Sequence, residues 1–247
     1  MKEMTMADLK IPSLQHLARN WDQEPEQIAN RLVRLALHPP FFNYNKLHGA
    51  IEDLILFTMP YDEIVEGIRR GEKRKTVQAN FLSVLPLLRD YFDGVSPDFV
   101  QRVAPRYYPV GRGLLIPFKP PLIYGVGGQI YLPWFSFWRS NSLKAEPLSL
   151  FVTLVYEILM QDPDLDNVKF SILDFSAPKA GKARELVVTD ANEIERLNEE
   201  RKVQMLSILA EGYLRAKNRI SDIHASQADK RKDGEASQPS TDQYLLL

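Results

Sequence analysis

The first hundred residues place apolar side chains at helical spacing. LQHLARNW follows Ser13, which stands where a helix cap is wanted. Pro25 opens a second run with Ile28, Leu32 and Leu35 on one face, and Pro39 and Pro40 stop it. Leu47, Ile51, Leu54 and Ile55 mark a third helix; Tyr61, Ile64, Val65 and Ile68 mark a fourth that ends near Gly71. Val77, Phe81, Leu85 and Leu88 keep the period, with Pro86 forcing a kink or a restart. After the turn SPDF the pattern changes, and prolines and glycines cut the chain into short apolar runs. LLIPF, PLIY and QIYLPWFSFW predict an antiparallel three-strand meander with edge prolines. PLSLFVTLVYEILM predicts an apolar helix, and VKFSILDF and RELVVTD predict two more strands joined by an exposed polar loop, SAPKAGKA. Val203, Leu206, Leu209, Tyr213 and Leu214 define a closing amphipathic helix over residues 198–220.

The expected fold class is therefore α+β: a helical N-terminal half, a central antiparallel or mixed sheet, and a long C-terminal amphipathic helix. Residues 1–98 form the helical region, and 99–220 an α+β region packed with it as one domain. Residues 221–247 turn to Ser, Gln, Asp, Lys and Gly and read as a disordered tail, whose final YLLL is either a docking peptide or a plain terminus.

Composition narrows the function classes. The 247 residues suffice for a real core, and the absence of cysteine excludes disulfides, thiolate zinc sites and cysteine nucleophiles. The polar start MKEMTMADLK has no signal-peptide core. The longest apolar run, residues 148–160, contains Glu157 and is shorter than the ~20 residues a membrane span needs. A cytoplasmic protein with no membrane partner is expected.

Charge is unevenly spread. Residues 99–145 hold no Asp or Glu but carry Arg102, Arg106, Arg112, Lys119, Arg139 and Lys144 among ten Tyr, Phe and Trp rings. The chain as a whole has net charge −1, so the remainder stands at −7 against +6 in this block. Cations mixed with aromatic faces suit nucleic acid, with bases stacking at ~1–3 kcal/mol each and phosphates meeting Arg and Lys. The competing reading puts the rings in a core and the charges on an ordinary surface. A second basic cluster, Arg69, Arg70, Lys73, Arg74 and Lys75, straddles a helix end. It suits phosphate contacts, or simply the negative end of the helix dipole.

Other motifs lead to no chemistry. Gly125-Val126-Gly127-Gly128 is followed by a strand-like run, so it reads as a turn and not a phosphate loop. Asp162, Asp164 and Asp166 are similar to the start of a calcium loop, but Asn167 and Leu173 occupy its glycine and glutamate positions. His16, His38, His48 and His224 show no metal spacing. Asp174, Glu185 and Asp190 lie on or beside the late strands and offer paired carboxylates only if the fold aligns them. No catalytic residue, metal ligand or cofactor is assigned.

Over roughly residues 40 to 220 the order of helices, meander, apolar helix, two strands and closing helix resembles the PD-(D/E)XK nuclease fold, especially its RecB-like branch. That resemblance implies Asp on one strand, and Asp or Glu followed by Lys on the next, holding Mg²⁺. The matching segments here, LIYGVGGQ and IYLPWFSFWR, contain no acid; Arg139 is the only base near the second, and Tyr156 alone answers the RecB-type helix motif. The resemblance implies a nuclease-like scaffold without nuclease chemistry. The expected function is a non-enzymatic binding protein that contacts DNA or RNA through Arg106, Arg112, Lys119 and Arg139 and through the Arg69–Lys75 cluster, as in bacterial genome maintenance or defence. The alternatives are a protein-interaction or scaffold subunit, and an enzyme built on Asp174, Glu185 or Asp190.

Overall fold

A computed structural model describes residues 9–39, 43–140 and 143–236. The fold is α+β. Among the described residues six α-helices come first: α1 (Leu14–Arg19), α2 (Pro25–Leu37), α3 (Asn45–Leu56), α4 (Tyr61–Gly71), α5 (Lys75–Leu82) and α6 (Leu85–Phe92). Pro86 does restart the helix: it sits in the first turn of α6, where a missing N–H costs nothing. Ser13 occupies the cap position of α1 but makes no side-chain cap bond; its carbonyl accepts from His16 and Leu17 instead.

Seven strands follow: β1 (Phe99–Gln101), β2 (Arg106–Gly111), β3 (Leu114–Phe118), β4 (Ile123–Val126), β5 (Gln129–Ser136), β6 (Lys169–Asp174) and β7 (Val187–Asp190). Helix α7 (Ala145–Leu159) crosses from β5 to β6, and α8 (Glu199–Ala236) closes the chain. The expected meander is split. LLIPF is β3, which pairs with β2 as a separate ribbon, while β1 takes its place beside β4. Strand pairing is non-local, so apolar runs alone could not assign it; Pro120 and Pro121, which have no N–H to pair, end the ribbon.

The main sheet runs β1-β4-β5-β6-β7 and is mixed: β5 and β6 are parallel through the α7 crossover, and the other pairs are antiparallel. Both faces are covered, which explains why QIYLPWFSFW has no polar side. Leu132, Trp134, Phe170 and Ile172 join α1, α2, α7, α8 and the β2–β3 ribbon in one core. Phe135, Phe137, Leu173 and Phe175 join α3 to α6 in the other. Each such side chain contributes ~1.5–3 kcal/mol by burial.

Gly127 and Gly128 have φ of +57° and +81°, so the glycine run is a tight β4–β5 turn, as its strand-like sequel required. The Asp162 stretch is a 3-10 turn in which the Asp162 carboxylate accepts from the Asp164 N–H. Val203, assigned to the buried face of α8, is exposed, and Lys202 is buried beside it. Helix α8 continues past Ser221 to Ala236. Residues 237–247, with YLLL, lie outside the described part.

Candidate ligand-binding cleft

Strand β5 outruns its neighbour. Tyr131 is its last residue paired with β4, opposite Tyr124, whereas pairing with β6 continues to Ser136. The sheet therefore has a step, and the carboxyl half of β5 carries a flank that β4 leaves open. Pro133, which has no N–H to pair, falls in this half. Three segments wall the step. Helix α1 brings Gln15, His16 and Arg19, α3 and its preceding residue bring His48 and Tyr44, and the bent β3–β4 connector brings Lys119. Phe135, Phe137, Trp134 and Trp138 form the β5 wall. The enclosed cleft measures ≈ 680 Å³, within the ~300–1,000 Å³ typical of small-ligand sites. It lies outside the carboxyl end of a parallel strand pair, where open sheets commonly leave room for ligands.

Among the described residues no Asp or Glu lines this cleft, while Arg19, Lys119, His16, His38 and His48 do. The Arg19 guanidinium lies over the Trp138 ring, 4.5 Å from its centroid, and the His16 ring meets Trp138 edge-on at 5.5 Å. His16 is open to solvent, but the solvent it meets is that of a crowded recess. Desolvation there, with Arg19 nearby, lowers its pKa. Burial likewise lowers the pKa of His48, against an opposing pull from Glu52. Tyr44 donates to the Phe137 carbonyl at 3.3 Å, and burial pushes its pKa up. Beneath the β5 end, the buried Arg184 donates to the carbonyls of Phe175 at 2.5 Å and Trp138 at 3.2 Å, and to Asn80 Oδ1, so that it fixes the segment carrying Trp138.

Buried polar atoms without a partner concentrate here. Gln15 Oε1, His48 Nδ1 and Trp134 Nε1 have none, and all three residues line the cleft. An unmet buried polar atom costs ~1–3 kcal/mol, so it is tolerated mainly where water, a ligand or a functional role accounts for it.

The chain matches no protein-family model and no curated protein. The site therefore rests on its own geometry.

The structure does not gather the expected site residues into one surface. Arg69 is paired with Glu66 at 2.5 Å, and Arg74 clasps Glu72 through Nε at 2.9 Å and Nη2 at 3.1 Å. Arg70 donates to the Glu66 carbonyl; Lys73 and Lys75 are exposed. This cluster sits on α4 and α5, on the opposite face of the sheet from the ribbon that carries Arg106 and Arg112. The acid-free block is acid-free only in sequence. Arg106 is paired with Asp162, and Arg102 holds Glu52 through two bonds of 2.7 Å. Arg112 lies exposed at the ribbon turn and Arg139 just after β5; Lys119 alone of the nine lines the cleft. Of the aromatics, Tyr108, Phe118, Tyr124, Trp134, Phe135 and Phe137 are buried, which is the core reading for most of them. Tyr107 is exposed and Trp138 half-buried.

Of the late carboxylates, Asp174 and Asp190 do not converge. Asp174 pairs in register with Val187 and Asp190 with Ser171, three steps or ~10 Å apart along the ladder. Among the described residues no cluster of His, Asp or Glu could hold a metal ion. Sequence reasoning missed Gln15, His16, Arg19, Tyr44 and His48. The one local signal was His16 and Arg19 three residues apart, on one face of a short helix.

Proposed function

We propose that this protein is a non-enzymatic, cytoplasmic nucleic-acid-binding protein, and that its recognition centre is the cleft at the carboxyl end of β5. The lining carries this reading: Arg19 and His16 lie against the half-buried Trp138, Lys119 lines the same cleft, and among the described residues no acid stands in its wall. Aromatic faces take bases and the cations take phosphate. A RecB-like nuclease scaffold that has lost its acids would hold nucleic acid in this way without cutting it.

The test is fluorescence anisotropy with labelled single-stranded DNA, single-stranded RNA and duplex at low salt. Single strands are expected to bind, and Trp138→Ala or Lys119→Gln to weaken binding about tenfold or more, the scale of one lost stack or charge-assisted contact. No binding of any nucleic acid at low salt would overturn the reading. Cleavage in Mg²⁺ or Mn²⁺ that disappears in Asp174→Asn would make the protein an enzyme instead.

A second reading, a protein-interaction subunit, draws on β7. This strand forms one edge of the main sheet, and Val187 and Val188 on it are both exposed. Such an edge accepts an added strand from a protein partner.

A further inference from the structure

We infer that the cleft takes one nucleoside monophosphate unit with its phosphate as a monoester, and not the interior of a strand. The inference deepens the proposed function and rests on the same site. Its first support is shape. A volume of ≈ 680 Å³ fits one nucleotide, and the walls come from α1, α3, the β3–β4 connector and β5, which meet at a local step of the sheet. Proteins that track a strand use an extended groove of several nucleotides.

Charge is the second support. Arg19 and Lys119 both line the cleft, His16 lies near Arg19, and among the described residues no carboxylate in the lining offsets the two basic side chains. An internal phosphodiester brings one negative charge. A phosphate monoester brings about −1.5 to −2 at neutral pH and three acceptor oxygens, which matches the two cations more closely. The third support is the platform. Arg19 already lies against the Trp138 ring, so a base can stack on the outer plane of that pair, as bases do on guanidinium and indole faces. Gln15 and His48, which line the same cleft, carry polar atoms without a partner, the kind of group a base edge satisfies.

The monoester has two sources, a free mononucleotide or the phosphorylated end of a strand. Tryptophan fluorescence and calorimetry on the full chain separate them. Adenosine 5′-monophosphate is expected to bind and to quench Trp fluorescence. Adenosine should bind about tenfold more weakly or worse, and Lys119→Gln, an exposed change that leaves the fold alone, should weaken the monophosphate by a similar factor. A strand of about eight nucleotides with a 5′-phosphate, compared with the same strand ending in a hydroxyl, identifies the source. Tighter binding of the phosphorylated strand assigns the strand end, and equal binding of the two assigns the free nucleotide. Adenosine binding as well as its monophosphate overturns the inference, as does a Lys119→Gln variant with unchanged affinity. If strands bind but the mononucleotide does not, this inference falls and the nucleic-acid reading stands. If the mononucleotide binds and no strand does, the nucleic-acid reading falls and the monophosphate site stands.

Discussion

At the residue scale, the decisive facts are which charges already have partners. Glu72 is only 5% exposed, yet it is shallow, covered by Arg74 and by Lys46 at 3.3 Å rather than by core depth. Bonds from the Arg74 side chain and backbone hold its pKa at about 2, against an ordinary 4.5. A carboxylate with a depressed folded pKa stabilises the fold above its unfolded value and loses that contribution as pH falls. The Glu72 contribution should be complete above pH 4.5 and vanish between there and about pH 2. Glu26, Glu52, Glu146 and Asp162 are also lowered by arginine partners, so the wild type should weaken in acid through several groups together. The Glu72→Gln variant isolates one of them. Its melting temperature should lie below wild type at pH 7, and the gap should close as pH approaches about 2.5. A gap that stays constant with pH would mean that the carboxylate charge contributes nothing. The long-range part of this pairing was not legible in the sequence. Arg102 and Glu52 are 50 residues apart and Arg106 and Asp162 are 56 apart, so a block without acids acquires them only on folding.

At the element scale, helices were legible and strand partners were not. The 3.6-residue period is local, and α2, α3, α4 and α7 appear where the apolar spacing put them. The ribbon and the main sheet both satisfy the same apolar runs, so the choice between a meander and a split sheet depends on contacts distant in sequence. The pairing of α2 with α8 was equally hidden, though one residue sets it. A Cβ on Gly212 would lie 2.6 Å from Ile28 Cβ and 2.9 Å from the Pro25 carbonyl oxygen, so the two helices approach at this glycine. Alanine gains ~1 kcal/mol in helix propensity, but the overlap costs ~1–3 kcal/mol because backbone stands in the way. Gly212→Ala should therefore lower the melting temperature by a few degrees; a rise would show that the helices can separate without loss. The far end of α8 behaves differently. Ile220 is buried, whereas residues 221–226 are exposed or half-buried. A chain ending at Ile220 should melt within a few degrees of the full chain, because residues 221–226, which follow the last buried side chain, add helix but little burial. A large fall would show that the distal part of the helix or the final YLLL docks.

At the scale of the whole molecule, the fold holds two basic sites that the sequence could not tell apart. Arg69–Lys75 lies on α4 and α5, while Arg19 and Lys119 line the cleft at the step beside β5. The cleft was invisible in the sequence because α1, α3, the β3–β4 connector and β5, far apart in the chain, each bring only part of its lining. Salt dependence distinguishes the two surfaces as binding sites. Each phosphate contact on a single strand contributes about 0.7 to the slope of log affinity against log salt. Two cleft cations predict a shallow slope of about −1.4, far from that of a protein laid along a charged groove. Lys119→Gln should flatten it by about 0.7. The double variant Lys73→Gln and Lys75→Gln should leave slope and affinity unchanged, and both side chains are exposed, so the fold should be unaffected. Arg74 is left out of the variant because it holds Glu72, and its loss would confuse stability with binding. Should the lysine pair flatten the slope by about 1.4 while Lys119→Gln does nothing, the phosphates lie on α4 and α5, and the step beside β5 is not where nucleic acid is held.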